Sequence, residues 1–97
     1  MNPISLHPKV SGEVKKILRD YELVSIELAD RFWEEFQDAI SAIQQHPSQF
    51  HFDPSGRRRY NLKNFPYHIL YRILPTQIRI TSVKHNRRNP GYGTRRL

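Results

Sequence analysis

Apolar side chains recur at Val10, Val14, Ile17, Leu18 and Tyr21, while Lys15, Lys16, Arg19 and Asp20 fall on the other side. Spacings of three and four match the 3.6-residue helical turn and predict an amphipathic α-helix. Pro8 fits its first turn, where a missing N–H costs nothing, and Ile4 to His7 ahead of it reads as a short strand. Gly12 weakens this helix. A second stripe, Leu28, Phe32, Phe36, Ala39, Ile40 and Ile43, predicts a longer helix that Ser25 caps, with Glu27 near the positive end of its dipole. Pro47 sets its limit, because the residue before proline is driven out of helical geometry. Trp33 widens the stripe or lies at its edge, and is expected to lie partly buried. Two helices joined by a short turn form a hairpin.

The pattern then changes. His46 to Gly56 is rich in Pro, Ser, Asp, Gly and His and reads as a surface loop anchored by Phe50 or Phe52. Arg57 to Leu62, Tyr67 to Leu74 and Gln77 to Lys84 are rich in Tyr, Ile, Val and Arg and predict three strands, with turns at Lys63 to Pro66 and Pro75 to Thr76. In the second strand Tyr67, Ile69, Tyr71 and Ile73 alternate with His68, Leu70, Arg72 and Leu74. The first set is expected to face the helices. By the same parity Tyr60, Leu62, Ile78 and Ile80 point inward, and Arg57, Arg59, Asn61, Arg79 and Thr81 point outward. The predicted architecture is α+β: a short N-terminal strand and a helical hairpin packed on a small antiparallel sheet whose open face is basic. No repeat or composition shift marks a second domain, so residues 1–97 read as one domain, and 86–97 form a basic tail that is either a frayed end or a working arm.

Sixteen Lys and Arg against nine Asp and Glu leave a formal charge of +7, which favours a polyanionic or acidic partner, nucleic acid first. The absence of cysteine excludes disulfides, thiolate zinc sites and a cysteine nucleophile. No apolar run approaches the roughly 20 residues of a membrane span, and no leader-like segment opens the chain, so a cytoplasmic location without membrane attachment is expected. No histidine and carboxylate spacing resembles a metal site and no glycine loop suits a nucleotide, so neither metal nor cofactor is expected.

Two segments carry a resemblance. Phe65 to Ile73, FPYHILYRI, has an aromatic, proline, aromatic opening followed by the Tyr71–Arg72 pair, and Val83 to Tyr92, VKHNRRNPGY, joins a strand to a histidine, arginines and a proline. With the helix that ends at His46 and Pro47, they resemble the RelE/ParE toxin family of type II toxin–antitoxin systems over nearly the whole chain. The resemblance implies a plasmid-stabilisation type of toxin and a cognate acidic antitoxin that folds as it wraps the toxin. It also implies one of two activities. Some members cut messenger RNA on the ribosome, and others inhibit DNA gyrase by protein contact.

RNA cleavage without a metal needs a base for the 2′-OH, cations for the phosphorane oxygens and an acid for the leaving oxygen. On the nuclease reading, which the three consecutive arginines and the net charge favour, His68, Arg72, His85, Arg88 and Tyr92 are the catalytic candidates. Arg57, Arg59, Lys63 and Arg87 are the RNA-binding candidates. Arg88 and Tyr92 match a basic and aromatic pair near the C-terminus of the family nucleases. Asn86 departs from the pattern where some of them carry an arginine, and Arg58, Arg59 and Lys63 replace their lysine pair. Each candidate also has a plain structural reading: Arg57 to Arg59 as a solvated edge, Arg72 as a partner of Glu34, Glu35 or Asp38, and His68 as a hydrogen-bonded surface residue. His7, His46 and His51 lie in turns and are given no role. A third reading is a non-catalytic nucleic-acid-binding module stacking bases on Tyr60, Tyr67 and Tyr71. Parity places those rings on the buried face.

Overall fold

The computed structural model describes residues 2–97. Its elements in chain order are β1 (Ile4–Leu6), α1 (Pro8–Glu22), α2 (Ile26–Gln45), β2 (Arg58–Asn61), β3 (Tyr67–Ile73) and β4 (Ile78–His85). Both helices open where the capping residues direct. His7 Nδ1 accepts the Lys9 N–H at 3.1 Å and Pro8 occupies the first turn of α1. Ser25 Oγ accepts the Leu28 N–H at 3.0 Å, satisfying one of the donors a helix start leaves unpaired.

The strands form one sheet in the order β1-β4-β3-β2. β2, β3 and β4 are antiparallel, as expected, but β1 lies parallel to β4, with Ile4 opposite Ile78 and Leu6 opposite Ile80. The sheet is therefore mixed rather than wholly antiparallel. β1 is separated from β4 by the helical hairpin and two strands, so no tight turn imposes an antiparallel pairing on it.

The helices cover one face. Val10, Val14 and Ile17 of α1 and Phe32, Phe36, Ala39 and Ile43 of α2 pack on Ile69, Tyr71, Ile78, Ile80 and Val83. Phe32 is fully buried at the centre of an aromatic cluster, with ring centroids of Phe65, Tyr21 and Tyr67 at 5.3, 5.7 and 5.8 Å. Tyr71 is buried in this core, and Tyr60 and Tyr67, partly buried, pack against it, which argues against all three as stacking platforms. Of the two loop aromatics, Phe50 packs on Tyr60 at 4.8 Å while Phe52 is 61% exposed.

Strict alternation along β4 holds only as far as Ile80. Tyr71 pairs with Ile80 and Leu70 with Ser82, so Thr81 has no partner in register and forms a β-bulge. Beyond it the parity reverses: Val83 and His85 face the helices, opposite Ile69 and Tyr67, while Ser82 and Lys84 face away, opposite Leu70 and His68.

The face away from the helices is not open. Residues 86–97 fold back across it. Arg96 Nη1 donates to Thr81 O at 3.1 Å, Arg57 Nη2 donates to Arg96 O at 2.7 Å, and Arg79 Nε donates to Leu97 O at 3.3 Å. Gly93 has φ +74° and lies where a Cβ would approach the Ser82 Cβ to 3.0 Å, so both backbone conformation and space require glycine there. Under this strap His68, Leu70, Ser82 and Lys84 are buried. The tail is thus a packed part of the fold, and His68 is 2% exposed instead of lying at the surface.

Candidate functional site

The basic residues singled out in the sequence separate into three groups. The first lies at the middle of the sheet, beneath and beside the strap, around a cavity of about 450 Å³ lined by Asp53, Arg59, His68, Lys84, Asn86 and Arg88 among others. β-Pairing sets Asn61, His68 and Lys84 in one row across β2, β3 and β4. His68 Nδ1 lies 2.8 Å from Asn86 Oδ1. An amide oxygen only accepts, so Nδ1 carries the proton in the neutral ring and the lone pair falls on Nε2. That Nε2 is buried without a partner. Burial holds the imidazole pKa below its ordinary value of 6.5; Arg59 and Lys84 push the same way, and the Asn86 bond and Asp53 oppose them. Lys84 Nζ donates to Pro90 O at 3.1 Å and Tyr92 O at 2.9 Å, and burial lowers its pKa as well. Arg59 donates from Nη1 to Asp53 Oδ1 at 3.1 Å and from Nε to Asn61 Oδ1 at 2.7 Å.

A second group gathers Arg57, Arg72 and Arg79 at the far end of the sheet. Arg72 stands opposite Arg79 in register and beside Arg57, whose pKa is lowered by burial and then by Arg72. Arg72 makes no ion pair with Glu34, Glu35 or Asp38. Glu35 instead accepts the Lys63 and Asn64 backbone N–H groups at 2.7 and 3.1 Å. This ties the β2–β3 turn, and Lys63 with it, to α2 and away from both basic groups.

The third group lies on the helix side of β4, around a cavity of about 560 Å³ between α1 and β4. The bulge at Thr81 puts His85 here, its ring 5.2 Å from that of Tyr67. His85 Nδ1 accepts the Arg87 N–H at 3.0 Å, which occupies the lone pair a general base would use. Glu13 organises the region: Oε1 accepts the Val83 N–H at 3.0 Å, and Oε2 accepts Tyr92 Oη–H at 2.6 Å and Arg96 Nη1 at 2.8 Å. Arg88 and Arg96 lie over the Tyr92 ring at 4.0 and 4.7 Å. Arg88 lines both this cavity and the one at His68.

Glu13, Lys84 and Arg96 escaped the sequence reading, and Asn86 entered it only as a departure from the family pattern. The irregular spacing of Ile80 and Val83 was the available signal for Lys84, since an alternation broken by one residue marks a bulge. Nothing local singled out Glu13. Among the described residues no group of three His, Cys, Asp or Glu side chains is placed to hold a metal ion.

The family model for the ParE toxin of type II toxin-antitoxin systems, parDE, matches residues 4–90, from β1 into the strap. The chain belongs to the ParE toxin family. Comparison with curated protein sequences gives no match. Among solved structures, a chain of the "Chromosomal ParDE TA system from P. aeruginosa" superposes with a TM-score of 0.75 at 21% identity, covering 88% of this chain and 96% of that one. At that identity the likeness is one of fold: a ParE-like α+β arrangement of two helices on a mixed sheet. The last seven residues, including Tyr92, Gly93 and Arg96, lie beyond the family match, which therefore does not extend to the closure of the strap on Glu13.

Proposed function

We propose that this ParE-family toxin acts by protein contact, as an inhibitor of DNA gyrase, with residues 1–97 working as one cytoplasmic domain and a cognate acidic antitoxin neutralising it. The observation that carries the reading is the state of the groups RNA cleavage would require. The Tyr92 hydroxyl is held by Glu13, the His85 lone pair by a backbone N–H, and the Lys84 ammonium by two carbonyls. Arg72 stands at the other end of the sheet from His68 and Arg88, and His85 lies on the opposite face from His68. A base, an acid and a phosphate clamp need to surround one scissile bond. Inhibition by contact needs no such convergence.

The antitoxin follows from charge and from the match to a toxin–antitoxin pair. Asp53 is the last acidic side chain in the sequence, so the strands β2 to β4 and the strap present only cations. An acidic segment suits that surface.

Ribosome-dependent mRNA cleavage is the second reading, favoured by one observation: the uncommitted Nε2 of His68, whose depressed pKa leaves the ring neutral near pH 7 with that lone pair free. Two assays separate them. Purified protein is added to a gyrase supercoiling reaction and, in parallel, to a translation reaction read by primer extension. The contact reading expects supercoiling to stop with mRNA intact. Cleaved mRNA with gyrase unaffected would overturn it.

A further inference from the structure

The strap and the turn before β2 flank an open-sided cavity that the contact reading leaves without a role. We infer that this cavity, bounded by Arg59, His68, Lys84 and Arg88, is a binding site for a small oxyanion of the phosphate or sulfate class, and that His68 takes up a proton as the anion enters. Its volume of about 450 Å³ falls within the roughly 300–1,000 Å³ of small-ligand sites.

The charges that face His68 come from every element around it: Arg59 on β2, Lys84 on β4, Arg88 in the strap, and Asp53 in the turn before β2. Asp53, the single carboxylate, is already paired with Arg59. Arg88 is exposed at the cavity, and among the described residues its guanidinium makes no ion pair, lying only over the Tyr92 ring. Lys84 uses two of its three N–H donors on carbonyls. Donors are therefore left over where acceptors are scarce.

His68 supplies the second element. Its Nε2 is buried with no partner, and the Asn86 oxygen fixes the proton of the neutral ring on Nδ1. A proton from solvent can then add only at Nε2, giving an imidazolium that donates from Nδ1 to Asn86 and from Nε2 to the anion. The anion supplies the counter-charge that the surrounding cations deny the protonated ring. No bond in the anion breaks: His85 is on the other face of the sheet and the Tyr92 hydroxyl is engaged by Glu13, so the site binds without cleaving.

The test is an NMR titration of the histidine rings in sodium sulfate against sodium chloride at equal ionic strength, since sulfate has no proton equilibrium of its own between pH 5 and 8. Sulfate is expected to raise the proton affinity of His68 about tenfold, one pH unit, and to leave the exposed His46 and His51 unchanged. Sulfate affinity measured by calorimetry should fall from pH 5.5 to pH 8. Arg88→Ala, at an exposed position, should weaken binding at both pH values, and His68→Gln should abolish its pH dependence. A dinucleoside monophosphate in place of sulfate distinguishes a chain phosphodiester from a free anion as the occupant, and a His68 response to either supports the site. Equal shifts at His68, His46 and His51, or a sulfate affinity indifferent to pH and to Arg88, would overturn it. Gyrase is absent from these measurements, so their failure leaves the contact reading standing, and the reverse.

Discussion

Glu13 and Arg96 are 83 positions apart in the sequence, yet their side chains meet at 2.8 Å with only 12% and 11% exposure. The carboxylate also stands in for a missing strand. β1 ends opposite Ile80, and beyond that point Glu13 supplies the acceptor for the Val83 N–H on the uncovered side of β4. One side chain thus caps a sheet edge and fastens the C-terminal strap.

Glu13→Ala removes the acceptor for three donors at once. Losing charge-assisted hydrogen bonds that are largely desolvated should lower the unfolding free energy by about 2 kcal/mol, and the melting temperature of a domain this size by on the order of 10 °C. Urea and thermal melts measure the loss. Trypsin should cut the variant after Arg87, Arg88 or Arg95 well before it cuts the wild type. An unchanged melt and digest would show that the strap is held elsewhere.

Tyr71 predicts alkaline behaviour. Its hydroxyl donates to Pro47 O at 2.6 Å, and burial pushes its pKa up to about 12, with Arg58 opposing. A folded value above the ordinary 10.0 leaves stability intact below pH 10. Between about pH 10 and 12 the unfolded chain loses this proton while the folded one retains it, so stability should fall across that window. Tyr71→Phe should flatten this part of the profile in denaturant melts, while costing about 1 kcal/mol at pH 7 through the lost hydrogen bond.

His68 predicts the opposite limb. Its folded pKa is depressed by burial, so its contribution is complete above pH 6.5 and is lost as the pH falls below that value toward the folded one. Stability measured in low-sulfate buffer should decline on acidification over this range, and His68→Gln should reduce the slope. An identical slope in the variant would assign the acid limb to other groups.

His85→Gln separates the two activities. If mRNA cleavage were the activity and His85 its acid or base, the rate would drop by roughly 10² or more. On the contact reading the substitution should leave inhibition of supercoiling within about twofold, because the half-buried ring serves mainly as an acceptor for Arg87 and a neighbour of Tyr67. Supercoiling titrations and primer extension on the same preparations give the answer.

Trp33 is 41% exposed and stacks on Phe36 at 5.8 Å, which agrees with its place at the edge of the α2 stripe. Acrylamide should quench its fluorescence more slowly than it quenches free indole. Equal rates would mean that α2 frays in solution.

Helices, strands and core were legible in the sequence because each rests on a repeating pattern: Val10 to Tyr21 and Leu28 to Ile43 at helical spacing, and Tyr67 to Ile73 at alternate positions. The parallel pairing of β1 was not, since three residues with no tight turn carry no directional signal. The site was read least well, and for physical reasons. A single bulged residue, Thr81, reverses the facing of everything after it, which moved His85 to the helix side and Lys84 beneath the strap. The strap itself is held by backbone carbonyls and by Glu13, seventy or more residues away, and such contacts leave no periodic trace. Candidates chosen by chemical type, Arg57, Arg72, His68 and His85, were therefore distributed over three separate places.

α2 carries the five carboxylates Glu27, Asp30, Glu34, Glu35 and Asp38 against the single cation Arg31, while every ionisable side chain of fixed charge after Asp53 is a cation, on the sheet, its turns or the strap. The molecule is consequently an electric dipole with one end opposed to the other. In the field of a polyanion it experiences a torque, and it arrives with the sheet and strap leading and α2 trailing. Orientation of this kind acts before any contact forms. It raises association rates by about 10- to 1,000-fold at low ionic strength and fades as salt shortens the reach of the field.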